Sequence, residues 1–208
     1  NPGMAGQPSF SPDGARFAFR NGYTNGSTWY NYLNIFDFDR CSGIFQLDTT
    51  IIYSDNNGWG WGTMFSPNSQ FLYYSTTQTL YQVDVTAPSI GATQQVVAVN
   101  DTFLSAPPVF YTNFYLMYLA ANGKIYISST SSVLHLHEMN YPDSAGIACD
   151  VQLHNIYTTH FYFGVPNHPN YYLGALTGSP CDSLTNIVEI EEHDFKFSVS
   201  PNPSNGDF

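Results

Sequence analysis

Phe10, Ser11, Pro12, Asp13 and Gly14 form a turn signal ahead of the apolar residues Phe17, Ala18 and Phe19, and this arrangement returns twice. Phe65, Ser66, Pro67 and Asn68 repeat it 55 residues on, before Phe71, Leu72, Tyr73 and Tyr74. Asn122 and Gly123, followed by Ile125, Tyr126 and Ile127, repeat it after another 54, with the Ser-Pro pair gone. A fixed period of this size marks a repeat architecture, in which each unit is one supersecondary element that cannot bury its own apolar face. Proline presets its backbone angle and glycine accepts a positive one, so the turn has a mechanism.

Each unit reads as four short strands. In the first, residues 8–10 and 15–20 flank the turn, residues 21–31 form a polar aromatic loop, and Leu33, Ile35 and Asp37 alternate with Asn34, Phe36 and Phe38 before a fourth strand at 44–47. The second unit has strands at 70–75, 80–85 and 95–99, and the third at 114–120, 124–129, 133–139 and 151–156. Residues 33–38 align with 80–85. The step from turn residue to aspartate is 24 in the first unit (Asp13 to Asp37) and 16 in the second (Asn68 to Asp84), which assigns eight extra residues to the 21–31 loop. Four strands in about 55 residues is the period of a β-propeller blade, so the expected fold class is all-β, with blades of four antiparallel strands. Three blades do not close a ring, and further blades are expected before Asn1. The aromatic segment 161–173 is expected to supply a closing strand.

The totals agree with strands and turns. The chain is 43% hydrophobic and 17% aromatic, rich enough for a packed core, and crowded with Tyr, Phe, Gly and Pro. Five basic residues stand against sixteen acidic ones, so no positive surface is available to neutralise a phosphate backbone, and nucleic acid is excluded as a partner class. No run approaches the roughly 20 apolar residues of a membrane helix, so no membrane-spanning segment is expected. The first residues lack the pattern of a signal peptide and read as the lead-in to a repeat.

The turn repeats over residues 8–156 resemble the blades of TolB-like and WD-type propellers. Residues 122–127, the stretch 139–149 with Pro142, Gly146 and Cys149, then Val165, Pro166 and Asn167, and finally 169–184 resemble the last blade of secreted propellers from bacteria with a type IX secretion system. Ser200, Pro201, Asn202, Pro203, Ser204, Asn205, Gly206, Asp207 and Phe208 are similar to the opening of the type IX C-terminal sorting domain, a small β-sandwich. These resemblances imply a propeller at 1–176, a linker at 177–194 and the truncated start of a sorting domain at 195–208. They imply a protein secreted by, or held on the outer surface of, a bacterium, with the type IX machinery as partner through the complete C-terminal domain. The oxidising route implies a disulfide between Cys149 and Cys181, leaving Cys41 over; three buried thiols are the alternative. Asp48-Thr49-Thr50, Asp143-Ser144-Ala145 and Asp182-Ser183-Leu184 look like the short O-glycosylation sites of such bacteria.

Candidate chemistry is sparse. Trp59 and Trp61, with Trp29 and Tyr30 from the long loop, could present aromatic faces to a sugar ring, or fill the gaps between blades. His135 and His137, two apart on a strand, share a face, but two ligands are not a site and nothing in the spacing requires His154 or His160 as a third. Residues 55–58 lack the alternating acids of a calcium loop and read as a turn. Asp13, Asp37 and Asp84 sit at turn or repeat-equivalent positions, where they are expected to hold backbone. No nucleophile, zincin or phosphate-loop motif occurs, and no metal or cofactor is expected. The expected function is therefore a non-catalytic module for binding or adhesion, its ligand a surface glycan or protein. The alternatives are a carbohydrate-active or other surface enzyme whose key acids lie in further blades, or a structural spacer.

Overall fold

The computed structural model describes residues 4–24, 29–55, 61–105, 110–160, 170, 172–179 and 181. The chain forms two compact units, Asn1–Gly174 and Ala175–Phe208. In the second, the described part is a turn closed by the Ser179 N–H on the Leu176 carbonyl at 3.1 Å. The expected strand 195–199 and the sorting residues Pro201 to Phe208 lie outside the described residues.

The first unit is nearly all strand. β1 (Met4–Ala5), β2 (Ser9–Phe10), β3 (Arg16–Thr24), β4 (Trp29–Asp39) and β5 (Ile44–Asp55) make one antiparallel sheet, in the order β1-β3-β4-β5 with β2 also on β3. β6 (Thr63–Phe65), β7 (Phe71–Ser75), β8 (Thr79–Asp84) and β9 (Gln95–Val99) make the second, each strand beside the next. A short hairpin, β10 (Leu104–Ser105) and β11 (Phe110–Tyr111), precedes the third sheet, formed by β12 (Met117–Leu119), β13 (Ile125–Ile127), β14 (His135–Met139) and β15 (Val151–Tyr157). These antiparallel sheets, four-stranded in the second and third and with β1 and β2 both on β3 in the first, are the propeller blades expected from the period.

The repeated turn owes its sequence to a repeated set of hydrogen bonds. In the first, Ser11 Oγ donates to Asp13 Oδ1 at 2.5 Å and accepts the Arg16 N–H at 2.9 Å, while the Ala15 N–H reaches Asp13 Oδ1 at 3.0 Å. The second reproduces this with Ser66, Asn68, Phe71 and Gln70 at 2.7, 2.9 and 3.0 Å. Gly14 and Gly123 take the left-handed position at φ 72° and 80°, and Ser69 holds it at 64° in the second turn. A serine there carries strain, and its hydroxyl explains it: Ser69 Oγ accepts the Asp13 N–H at 3.1 Å, tying the turn of one blade to that of the next.

Two cores separate the three blades. Ala18, Leu33, Ile35, Ile51 and Tyr53 of the first sheet pack on Phe65, Leu72, Tyr74, Val83 and Val85 of the second. The opposite face of that second sheet, Phe71, Tyr73, Leu80 and Val97, packs on Met117, Leu119, Ile125, Ile127 and Met139 of the third. Gln82 is fully buried yet satisfied. Its amide donates to Tyr73 Oη at 2.7 Å and the Ser144 carbonyl at 2.8 Å, and its oxygen accepts from the Gly146 N–H and Gln95. The face of the first blade turned away from the second carries Phe10, Phe17, Phe36, Phe38 and Phe45, with ring centroids 4.6 to 6.3 Å apart and Phe10 and Phe45 nearly half exposed. Phe10 and Phe17 are the repeat equivalents of Phe65 and Leu72, by which the second blade packs on the first.

Two expectations are corrected. Residues 21–31 are not a loop for their whole length: β3 runs nine residues where β7 runs five, and β4 pairs with it from Asp37 back to Trp29. The extra residues thus lengthen a hairpin, along which β5 continues as a partner to Asp55. The disulfide-bonded cysteines are Cys41 and Cys181, whereas Cys149 is a free thiol. Cys149 ends a 3-10 turn (Gly146–Cys149) inside the core between the second and third blades, where it packs as a small apolar side chain with no exposed surface.

Candidate functional site

Strand direction alternates, so the connections divide between the two ends of the sheets. The Ser-Pro turns leave at one end, where Asn170 donates to the Pro12 carbonyl, Tyr172 to that of Ala120, and Arg40 to those of Asp13 and Gly174. At the other end lie the Thr24–Trp29 end of the β3–β4 pair and the segments 61–62, 76–78, 100–105, 110–116 and 128–134.

At this second end the hairpin is rich in aromatic residues. Tyr23 stands opposite Tyr30, and Trp29 lies between Thr24 and Asp55 in register. Tyr30 and Tyr32 are half-buried and share one face of β4. Trp61 lies at the entry to β6, its indole edge-on to Tyr115 at 5.4 Å and its carbonyl accepting the Gln7 N–H at 2.8 Å. Its neighbour Gly62 is required by packing, since a Cβ there would sit 2.3 Å from the Tyr115 carbonyl oxygen. Trp59 lies outside the described residues. The structure therefore gives Trp61 an inter-blade contact and puts Trp29 and Tyr30 side by side in the strand.

The histidines gather beside the third blade at the same end. β14 and β15 slip register between Leu136 and Glu138, and in the resulting bulge His154 adopts φ 41°. Its N–H donates to His137 Nδ1 at 3.1 Å, so His137 carries its proton on Nε2, which faces the Asn113 carbonyl at 3.2 Å. Both ring nitrogens are occupied, and burial pushes the pKa of this imidazole down to about 4. His135 Nδ1 and Ser105 Oγ share a hydrogen bond at 3.0 Å, and the serine oxygen also accepts the Leu134 N–H. Burial, and then the His154 charge, lower its pKa. His154 stacks on Phe103 with centroids 4.0 Å apart and pairs with Asp101 at 2.9 Å. Burial works against the Asp101 carboxylate, but hydrogen bonds from His154 and the Phe103 N–H outweigh it and hold its pKa below the ordinary value. His160 instead bonds Thr159. Among the described residues, no three His, Cys, Asp or Glu groups are arranged to hold a metal ion.

Phe103, His135, His154 and the exposed Tyr157 thus form a second half-exposed ring cluster, with Asp101 and Ser105 as its polar edge. Spacing alone singles out His135 and His137; it has no signal for Asp101, Phe103, Ser105 or Tyr157, because a loop and a bulge bring them together. The three aspartates do structural work. Asp13 holds the turn, Asp84 accepts the Thr86 N–H at 2.8 Å, and Asp37 lies 3.4 Å from Arg16, which also meets Asp48 at 2.7 Å.

No family model matches the chain, and no curated protein matches it. Among solved structures it is similar to the periplasmic gluconolactonase of Pseudomonas aeruginosa, at 14% identity and a TM-score of 0.43, over 64% of this chain and 39% of that one. It is similar also to a protein assigned as TolB from Agrobacterium tumefaciens, at 16% identity and a TM-score of 0.41, over 73% of this chain and 48% of the other. The chain thus spans less than half the length of either protein.

Proposed function

We propose that this chain belongs to a non-catalytic propeller that binds a surface glycan or protein through the hairpin end of its blades. The observation that carries the reading is the lengthened β3–β4 hairpin, which holds the half-buried Tyr30 and Tyr32 on one face of β4 and sets Trp29 next to them in the strand. Rigid aromatic rings on a strand bind sugars or peptides at low entropic cost. The phenylalanine face of the first blade packs on a further blade in this reading, as its repeat equivalents do in the second. Export by the type IX route rests on the resemblance of the terminal residues to a sorting domain. A disulfide at Cys41 and Cys181 fits an oxidising compartment outside the cytoplasm.

A binding screen against surface polysaccharides and proteins tests this, comparing the unaltered chain with Tyr30→Ala and Trp61→Ala. Tyr30→Ala is expected to weaken binding about tenfold or more while the chain stays folded, the scale of one lost ring stack. Trp61→Ala is expected to lower stability through the lost Tyr115 contact. Undiminished binding by Tyr30→Ala refutes the hairpin as the platform.

A further inference from the structure

His137, on β14, is fully buried, and its hydrogen bonds fix its charge state. The His154 N–H can only donate, so Nδ1, 3.1 Å away, is unprotonated; the Asn113 carbonyl can only accept, so Nε2, at 3.2 Å, carries the proton. The ring lies 4.9 Å from that of Phe114, a member of the core between the second and third blades. A second proton has one place to go, Nδ1, and there it would confront the His154 N–H. Protonation of His137 and its bond to His154 therefore exclude each other.

That bond holds a strained piece of backbone. Leu136 pairs with Ile156 and Glu138 with Gln152, so Leu153, His154 and Asn155 stand opposite His137 alone. Within this bulge His154 takes φ 41°, a left-handed angle that is unfavourable for a residue with a side chain and persists only where its surroundings enforce it. The N–H on His137, the imidazole stacked on Phe103 at 4.0 Å and Nε2 on Asp101 at 2.9 Å enforce it together. Thr102, between Asp101 and Phe103, is left-handed as well, at φ 59°. Both sides of the stack are thus held in conformations that relax when it parts.

We propose that His137 and His154 form an acid-released latch at the hairpin end of the third blade. Neutral His137 holds the bulge closed and seats His154 on Phe103; a proton on Nδ1 breaks that bond, and residues 153–155 part from the 101–103 loop and uncover the Phe103 ring. The groups around His137 set the direction. Burial is the largest influence and lowers its pKa to about 4; the bond to Asn113 and the Asp101 carboxylate oppose this, and the His154 and His135 charges add to it. Glu138, the next residue of β14, turns to the other face, where it meets Lys124 and Asn155. In the open state the imidazole meets water and titrates near its ordinary value of about 6.5. The closed pKa lies below the open one, so the latch is at full strength above about pH 6.5 and weakens as pH falls toward 4. The ratio of open to closed molecules is expected to rise about 20-fold from pH 7 to pH 5.

Amide hydrogen exchange of the full chain, read by NMR and divided by the intrinsic rate at each pH, tests this. Protection of the His154 amide is expected to fall about 20-fold from pH 7 to pH 5 and to be insensitive to low concentrations of urea, as a local opening requires. Amides of β7 exchange through global unfolding, so their protection is expected to fall as urea is added. In His137→Asn the side-chain oxygen takes the place of Nδ1 and does not titrate, and His154 protection is expected to be equal at the two pH values. Unchanged His154 protection in the unaltered chain, or a fall with the urea dependence of the β7 amides, overturns the proposal, as does the same fall in a folded His137→Asn. If that variant does not fold, the urea test on the unaltered chain decides.

Discussion

Replacing Gln7 tests how the blades are joined near their inner strands. The Gln7 amide donates to the Met117 carbonyl at 2.7 Å and its oxygen accepts the Met117 N–H at 2.9 Å, across 110 residues of sequence. Its own backbone bonds Trp61 and Thr63, so one residue links the inner segments of all three blades. Met117 is fully buried, and Gln7→Ala leaves both of its backbone groups short of a partner. Two bonds at about 1 kcal/mol each, with added desolvation of the orphaned groups, predict a loss of about 2–4 kcal/mol. In urea that moves the midpoint by roughly 1–2 M. Gln7→Glu separates the donor from the acceptor. An ionised carboxylate still accepts the N–H but confronts the Met117 carbonyl, so at pH 8 it is expected to destabilise at least as much as alanine. Confrontation with the carbonyl raises the folded-state pKa above the unfolded value of about 4.3. The folded state then binds more protons, and the stability of Gln7→Glu relative to the unaltered chain is highest below about pH 4.3 and falls as pH rises through the folded pKa. Urea denaturation of the unaltered chain, Gln7→Ala and Gln7→Glu at pH 5 and pH 8 measures both effects. An alanine variant within about 0.5 kcal/mol of the parent, or a glutamate variant with the parent's pH dependence, refutes the argument.

Other consequences follow from single sites. Ser66→Ala removes a bond to Asn68 and one from the Phe71 N–H and is expected to cost about 1–2 kcal/mol by urea denaturation, a loss that Thr substitution partly restores. Cys149 is expected to resist a thiol reagent in the folded protein, since burial pushes its pKa up to about 11, and to react once the chain is denatured. The non-reduced, denatured protein is expected to show one thiol and the reduced protein three; a different count refutes the cysteine assignment. His137 is held neutral with a folded pKa of about 4, so its contribution is full above the unfolded value of about 6.5 and is lost as pH falls toward 4, by up to about 3 kcal/mol. His137→Gln is expected to flatten stability across that range, as measured by urea midpoints at half-unit steps.

Local chemistry made much of the fold legible. The Ser-Pro-Asp turn can be read because its bonds span only residues 11–16, and Ser66 and Asn68 rebuild them with the same donors and acceptors. The alignment of Asp37 with Asp84 holds in the structure: Asp37 stands opposite Arg16 and Asp84 opposite Phe71, each just past its turn. The count of eight extra residues in the first unit was likewise readable. What they form was not, since strand or loop depends on whether β5 continues as a partner, which it does to Asp55.

The sites were less legible, because they are made by contacts between distant segments. Asp101 meets His154 across 53 residues, and Ser105 meets His135 across 30. The bulge that turns His154 toward His137 depends on the register of two strands, which no spacing within either strand specifies. Three cysteines admit three pairings, and only the enclosure of Cys149 between two blades removes it from contention. Sequence alone determined the repeat, its turns and its alternating strands, because those rest on interactions a few residues long. Tertiary structure alone decided which faces are covered, which thiol is shut away and where an imidazole such as His137 is enclosed, because burial is a property of what another blade brings to the surface.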